Sequence, residues 1–191
     1  MMIGRHHPDA AVELWAQDEA RLGLTPIVRR VWAARGDRPI ASSKRRYEWL
    51  YVYAFVQPST GKVEWLLLPT VNAELFQLSL DYFAEATGAG ERKHVVVVVD
   101  RAAWHFSKGL RIPPGIHLFP LPPYSPELQP SERLWPLLRE CVANQTVKDM
   151  DELEEELIER CLQMRDDPEL VSIHTLFDWW DHAAAAERLA G

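Results

Sequence analysis

Three acidic residues stand where a predicted strand ends or a predicted helix begins: Asp18, Asp100 and Glu132. A carboxylate at the end of a buried strand has a fixed backbone, so two such strands side by side can share a divalent cation. Carboxylate oxygens favour magnesium or manganese, and magnesium binds through one or two carboxylates together with substrate phosphates. Two ions about 3.5–4 Å apart would activate an attacking oxygen and stabilise the leaving oxygen of a phosphoryl transfer. The simpler interpretation is that Asp18 and Asp100 cap turns and that Glu132 lies on an exposed helix.

The first three predicted strands precede any helix. Apolar residues occupy every second position over residues 11–17, which predicts a strand that ends at Asp18 and Glu19. Aromatic and β-branched residues at 49–56, and apolar residues at 63–68, flank a turn and form a hairpin. We therefore expect three antiparallel strands.

A helix and two further strands are predicted next. Asn72 is a suitable N-cap for a helix that ends at Gly88 and Gly90. The strand at 94–100 contains five consecutive valines, which cannot alternate between core and solvent, so it is expected to be central, parallel and buried on both faces. A short strand over 116–119 then leads into a proline-rich loop.

The last third of the chain has helical patterns. They cover residues 131–143, 149–164 and 170–180. Pro136 either kinks the first helix or lies just after its start. The second helix combines an acidic, solvated face with an apolar face that includes Ile158 and Leu162.

This order of elements predicts a mixed α/β protein with a ribonuclease-H-like fold, a five-stranded sheet covered by helices on both faces. We divide the chain into a short N-terminal extension (1–10), a catalytic domain (11–148) and an acidic helical extension packed on the same domain (149–191).

The length of 191 residues and 47% hydrophobic content suit one compact domain and exclude a disordered chain. No apolar run is long enough for a membrane helix or a signal peptide, which favours a cytoplasmic protein. The 2 cysteines lack the spacing of a zinc site or a disulfide framework.

The formal net charge of -7 hides an uneven distribution. The acidic residues are concentrated after residue 148, whereas one segment of the first half is strongly basic. Such a segment can bind phosphates even on an acidic protein, although it can also be a solvated loop that pairs with the acidic tail. The candidate phosphate or DNA contacts in this segment are Arg29, Arg30, Arg35, Arg38, Lys44, Arg45 and Arg46.

Three sequence blocks resemble the signature blocks of DDE transposases. They are LWAQDEAR, which contains Asp18; VVVVVDRAAWH, which contains Asp100; and LPPYSPELQPSERLW, which contains Glu132. The third block is the most specific. The similarity covers about residues 10 to 145, and the nearest branch is the bacterial insertion-sequence arm of the mariner-like superfamily, of the insertion sequence 630 type.

The resemblance implies that Asp18, Asp100 and Glu132 form a catalytic triad that holds two Mg²⁺ or Mn²⁺ ions. It further implies a nucleoid-associated bacterial enzyme that cuts DNA at element ends and joins them to target DNA as a homodimer. His105 matches the family block and is expected to orient a phosphate or the third carboxylate, or else to be structural. The chain departs from the family pattern at Arg101, where asparagine is usual, and at Gln129, which replaces the usual asparagine before proline.

Relatives carry a helix-turn-helix region that reads the DNA ends, whereas about ten residues precede the first predicted strand here. We expect that this chain is a catalytic fragment or that a separate chain supplies the reader. Two alternatives to the transposase remain open: an inactive remnant that binds DNA or protein, and a stand-alone ribonuclease-H-like nuclease. The first predicts no metal at the carboxylates, and the second predicts cleavage of hybrid or structured substrates.

Overall fold

The computed structural model describes residues 9–25, 27, 35, 48–145 and 147–180. Five strands form one sheet in the order β3-β2-β1-β4-β5, and helices cover both of its faces. The strands are β1 (Ala11–Gly23), β2 (Trp49–Gln57), β3 (Lys62–Leu68), β4 (Lys93–Val99) and β5 (Ile116–Pro120). The helices are α1 (Ala73–Thr87), α2 (Leu134–Leu138), α3 (Met150–Arg165) and α4 (Pro168–Thr175), with 3₁₀ turns at Ala103–Phe106, Pro126–Leu128, Pro130–Arg133 and Arg139–Val142.

Strand β1 is longer than predicted and joins the two halves of the sheet. Its first half pairs in parallel with β4, from Ala11 to Ala16, and its second half pairs antiparallel with β2, from Ala16 to Gly23. The predicted strand stopped at residue 17 because the acidic pair interrupts the apolar alternation. Pairing with β2 continues through these residues, so Asp18 lies within the strand and not at its end.

Strand β4 confirms the interpretation of the valine run. It lies between β1 and β5, pairs in parallel with both, and has every residue from His94 to Val99 buried. Its side chains contribute to two separate cores, one on each face of the sheet. Val98 packs on the face that carries α2, α3 and α4, whereas Val95, Val97 and Val99 pack on the face that carries α1.

Helix α1 begins and ends where its sequence predicts. The Asn72 side chain accepts a hydrogen bond from the Leu75 N–H at 2.8 Å, and Gly88 ends the helix in the left-handed conformation. Because only glycine adopts that conformation at little cost, Gly88 is an effective helix terminator. Phe76, Leu80 and Phe83 are the fully buried apolar residues of the helix.

The helix predicted over residues 131–143 is broken into short segments. Only Leu134–Leu138 is α-helical, and a 3₁₀ turn lies on each side of it. The α-helical segment starts two residues before Pro136, where proline is tolerated because the N–H groups of the first turn have no intrahelical acceptor. The last predicted helix is also shifted, since α4 ends at Thr175.

The acidic C-terminal segment shares a core with the sheet. In α3, Leu153, Leu157, Cys161 and Met164 are buried in the cluster that contains Val52 and Ala54 of β2. The predicted apolar face was partly wrong, since Ile158 and Leu162 are each 42% exposed. None of the helices in the described part of the chain is long and apolar enough to cross a membrane.

Candidate active site

The structure brings the three predicted carboxylates to one cavity at the carboxyl end of β4. Asp100 directly follows the last residue of β4. In the parallel pairing of β1 with β4, Ala16 lies opposite Val98, so Asp18, two residues further along β1, lies beside Asp100. Glu132 comes from the 3₁₀ turn Pro130–Arg133. The cavity has a volume of about 490 Å³ and is lined by Asp18, Asp100, Arg101, Ala102, Leu121, Pro122, Pro123, Tyr124, Ser125, Pro126, Gln129 and Glu132.

Asp18 is the buried member of the three, with 9% of its surface exposed. Its Oδ2 atom accepts a hydrogen bond of 2.8 Å from the indole N–H of Trp135. Burial raises the pKa of Asp18 to about 7, although the bond from Trp135 opposes this, and the nearby charge of Glu132 raises the pKa further. Trp135 is itself buried in the core, and its bond to Asp18 was not predicted from the sequence.

Asp100 is half-exposed and firmly oriented. Its Oδ1 atom accepts hydrogen bonds from the Ala102 backbone N–H and from Nδ1 of His105, both at 2.9 Å. The bond from His105 is the main reason that the pKa of Asp100 lies below its ordinary value, with a smaller effect from Ala102. This carboxylate is therefore ionised at neutral pH, and one of its oxygens is held by two donors.

The turn that carries Glu132 is fixed to β1 by Gln129. The Gln129 side chain is buried and donates a hydrogen bond of 2.9 Å from Nε2 to the backbone carbonyl of Gln17, next to Asp18. Pro130 follows directly and is also buried. Gln129 thus fixes the position of the turn that carries the exposed Glu132 relative to Asp18.

The chemistry of these side chains fits a divalent cation. The cavity offers carboxylate oxygens, the ligands that magnesium and manganese prefer. Its most buried carboxylate, Asp18, has Trp135 but no cation as a partner among the described residues. The three carboxylates are too far apart to bind one ion together, since no set of three His, Cys, Asp or Glu side chains in the described ranges could hold one ion by itself. Magnesium commonly completes its shell with water and substrate phosphates, so this spacing leaves room for both.

Arg101, the departure next to Asp100, lines the cavity but does not neutralise it. Its Nε atom donates a hydrogen bond of 2.8 Å to the backbone carbonyl of Leu121. Within the part of the chain that the structure describes, Arg101 forms no ion pair with Asp18, Asp100 or Glu132. The arginine is thus held against the loop after β5 and leaves the carboxylates available.

His105 lies beneath Asp100 and not on the surface. Its side chain has no exposed area, and its Nε2 atom is 3.3 Å from Oε1 of Glu19 while Nδ1 faces Asp100. His105 therefore has no exposed side-chain atom that could contact a phosphate, a contact that was predicted for it. The histidine orients the second carboxylate instead of the third, and sequence reasoning missed the role of Glu19.

The predicted basic contacts fall almost entirely outside the described residues. Arg35 is described and is exposed. The remaining candidates all lie outside the described ranges: Arg29, Arg30, Arg38, Lys44, Arg45 and Arg46.

Comparison with known families gives one match that covers most of the chain. The model of the DDE superfamily endonuclease family matches residues 13–154, which include Asp18, Asp100 and Glu132. A curated relative, the uncharacterized protein y4pE/y4sA of Sinorhizobium fredii (strain NBRC 101917 / NGR234), is 36% identical over 106 residues. That alignment covers 55% of this chain and 77% of the relative.

Solved structures share the fold at low sequence identity. The chain matches the Mos1 strand transfer complex with a TM-score of 0.63 and 19% identity, over 92% of this chain and 54% of that one. It matches the Mos1 mariner paired end complex with Mn with a TM-score of 0.63 and 20% identity, over 92% and 55% of the two chains. The chain thus spans about half the length of these Mos1 chains. The likeness confirms the predicted ribonuclease-H-like fold.

Proposed function

Because the chain belongs to the DDE superfamily endonuclease family, we propose that it is the catalytic domain of a DNA transposase. Its activity would be divalent-metal-dependent cleavage of DNA strands, followed by transfer of the freed end to target DNA. The observation that carries the proposal is the meeting of Asp18, Asp100 and Glu132 around one cavity, although they come from three distant parts of the chain. The Mos1 complexes with Mn and with Mg support the use of such a metal.

In this proposal each carboxylate has a distinct place. Asp18, held by Trp135, forms the buried floor of the cavity, and Asp100, held by Ala102 and His105, forms one wall. Glu132 contributes from the exposed side. Two bound cations would activate the attacking oxygen and stabilise the leaving oxygen at this position.

The partner of the reaction is DNA in this proposal. The transposase complexes to which the chain is similar support this choice. Contacts with phosphates would come from the basic segment before β2 and would weaken as salt concentration rises. A homodimer on two DNA ends and a separate helix-turn-helix chain that reads the ends remain part of the proposal, as does membership of the insertion sequence 630 branch.

The test compares acidic residues that line the cavity with one that does not. Asp100→Ala and Glu132→Gln should abolish Mg²⁺-dependent cleavage of duplex DNA while the circular dichroism spectrum stays that of the parent. Glu127→Gln is the matched control, because Glu127 is an exposed glutamate of the neighbouring turn that does not line the cavity. A cavity variant that cuts at the parental rate refutes the assignment.

Two further outcomes separate the alternatives. Crystals soaked in Mn²⁺ should show anomalous density within about 2.0 to 2.6 Å of the oxygens of Asp18 and Asp100. Absence of both metal and cleavage would indicate an inactive binding module. Faster cleavage of an RNA–DNA hybrid than of duplex DNA would indicate a stand-alone nuclease.

A further inference from the structure

Three connected side chains, Glu19, His105 and Asp100, lie beside the candidate site. Asp18 and Glu19 are adjacent in β1, so their side chains point to opposite faces of the sheet. Asp18 lies on the face of the cavity, whereas Glu19 lies on the face of α1 with its side chain only 6% exposed. The family resemblance gives Glu19 no role, and a buried glutamate requires a physical explanation.

Glu19 is bound by two donors that both come from the turn after Asp100. Its Oε1 atom lies 3.3 Å from Nε2 of His105 and 3.3 Å from Nε1 of Trp104. In the described chain, His105 is the only basic side chain within ion-pair distance of Glu19. The carboxylate therefore connects the middle of β1 to the 3₁₀ turn Ala103–Phe106.

The His105 ring is fixed between two carboxylates. Nε2 faces Glu19, Nδ1 lies 2.9 Å from Oδ1 of Asp100, and the ring packs against Phe76 at 4.4 Å between centroids. Each ring nitrogen of His105 therefore faces a carboxylate oxygen, a hydrogen-bond acceptor. One edge of the ring is held to β1 by Glu19 and the other to the end of β4 by Asp100.

The arrangement controls which oxygen of Asp100 is available. Oδ1 is occupied by the Ala102 N–H and by His105, whereas no donor among the described residues is bonded to Oδ2. A ligand carboxylate whose orientation is fixed in this way binds a cation more tightly than a freely rotating one. Removal of Glu19 would leave His105 without the acceptor that holds its far side.

We propose that Glu19 is a positioning residue for the cleavage reaction, which holds His105 so that His105 presents one oxygen of Asp100 to a divalent cation. This proposal rests on the proposed function, because it assumes that Asp100 is a metal ligand. Glu19 itself does not touch the cation or the substrate. It acts through His105, so its effect should disappear when His105 is absent.

The first measurement is the affinity for Mn²⁺, from the electron paramagnetic resonance signal of the free ion. Glu19→Gln removes the negative charge that faces His105 and should weaken binding by up to about 10- to 100-fold, the usual effect of losing a direct partner of a metal ligand such as His105. The matched control is Glu13→Gln. Glu13 lies on the same strand and also binds an indole N–H and a cation, Trp15 at 2.9 Å and Lys93 at 2.8 Å, but away from the cavity. Its replacement should change Mn²⁺ affinity less than twofold.

A double-mutant cycle distinguishes positioning from a general loss of structure or charge. His105→Asn should weaken Mn²⁺ binding, and adding Glu19→Gln to it should cause no further loss. Independent, additive losses would overturn the proposal. Excess Mn²⁺ should restore cleavage by Glu19→Gln but not by Asp100→Ala, because only the second variant lacks a ligand. If Glu19→Gln does not fold, Glu19→Asp provides the same comparison, because it keeps the charge but moves the carboxylate away from His105.

A metal-free measurement tests the geometry itself. In protein labelled with ¹⁵N-histidine, the ring nitrogen resonances of His105 are assigned by their loss in His105→Asn. Glu19→Gln should shift the Nε2 resonance, and an unchanged resonance would overturn the proposal. Failure of the parent both to bind Mn²⁺ and to cleave DNA would refute the proposed function and this inference with it. Equal Mn²⁺ binding by parent and Glu19→Gln would overturn only the role of Glu19.

Discussion

Replacement of the buried carboxylate Asp18 should make the metal-free protein more stable. Each factor of ten in an acid constant corresponds to about 1.4 kcal/mol. Since burial raises the pKa of Asp18 from 3.8 to about 7, its ionisation costs roughly 4 kcal/mol more in the fold than in the unfolded chain. Asp18→Asn removes the charge and keeps an oxygen that accepts the bond from Trp135. Burial of the amide costs about 1–2 kcal/mol, so the expected net gain at pH 8 is about 2–3 kcal/mol.

The pH dependence of this gain follows from the direction of the shift. The folded state holds its proton more tightly than the unfolded state, so parental stability falls as pH rises from about 4 to about 7 and the penalty is constant above that. The gain from Asp18→Asn should therefore grow between pH 4 and pH 7. The assay is urea denaturation with EDTA present at several pH values.

An exposed aspartate provides the control for this prediction. Asp81→Asn also keeps an oxygen for its amide donor, Gln77 Nε2 at 3.0 Å, and should change stability by less than about 0.5 kcal/mol. Mg²⁺ should stabilise the parent and not Asp18→Asn, since only the parent has the carboxylate. A gain that is the same at pH 4 and pH 8, or a loss at pH 8, would refute the argument from burial.

Three further variants test the supports of the site. Gln129→Ala removes the buried bond from the Glu132 turn to β1 and should cost about 1–3 kcal/mol together with part of the cleavage rate; an unchanged urea midpoint would contradict this. Leu157→Ala opens a cavity in the core shared by α3 and the sheet and should cost about 2–5 kcal/mol in the same assay; a cost below 1 kcal/mol would show that α3 is peripheral. Gly61→Ala should lower thermal stability by more than about 1 kcal/mol, because φ is +71° there and a Cβ would lie 1.7 Å from the Pro168 carbonyl oxygen; a neutral result would exclude that close approach.

The sequence predicted best those elements whose signals are local. The run of valines in β4 and the caps of α1 each act through neighbouring residues, and both elements formed as expected. The length of β1 depends on its partner instead. The strand continues to Gly23 because β2 supplies hydrogen bonds along its second half, and nothing in residues 18–23 alone indicates that pairing.

The candidate site divides in the same way. Asp18, Asp100 and Glu132 could be selected from their positions beside predicted strands and turns. Their partners could not, because the bond from Trp135 to Asp18 and the contact between Glu19 and His105 join residues 117 and 86 positions apart. Such contacts depend on the sheet register and on the path of the loop after β5, which local patterns do not specify.

The double pairing of β1 has a consequence for the order in which the molecule assembles during its synthesis. The antiparallel half of the sheet, from β1 to β3, leaves the ribosome first, with one side of β1 still bare. Parallel pairing with β4 has to wait until about 30 more residues have been synthesised, and Gln129 covers the carbonyl of Gln17 later still. A nascent chain would thus hold most of its sheet before its three carboxylates could meet. The proposed capacity to cut DNA would therefore appear only after the turn that carries Glu132 has been synthesised.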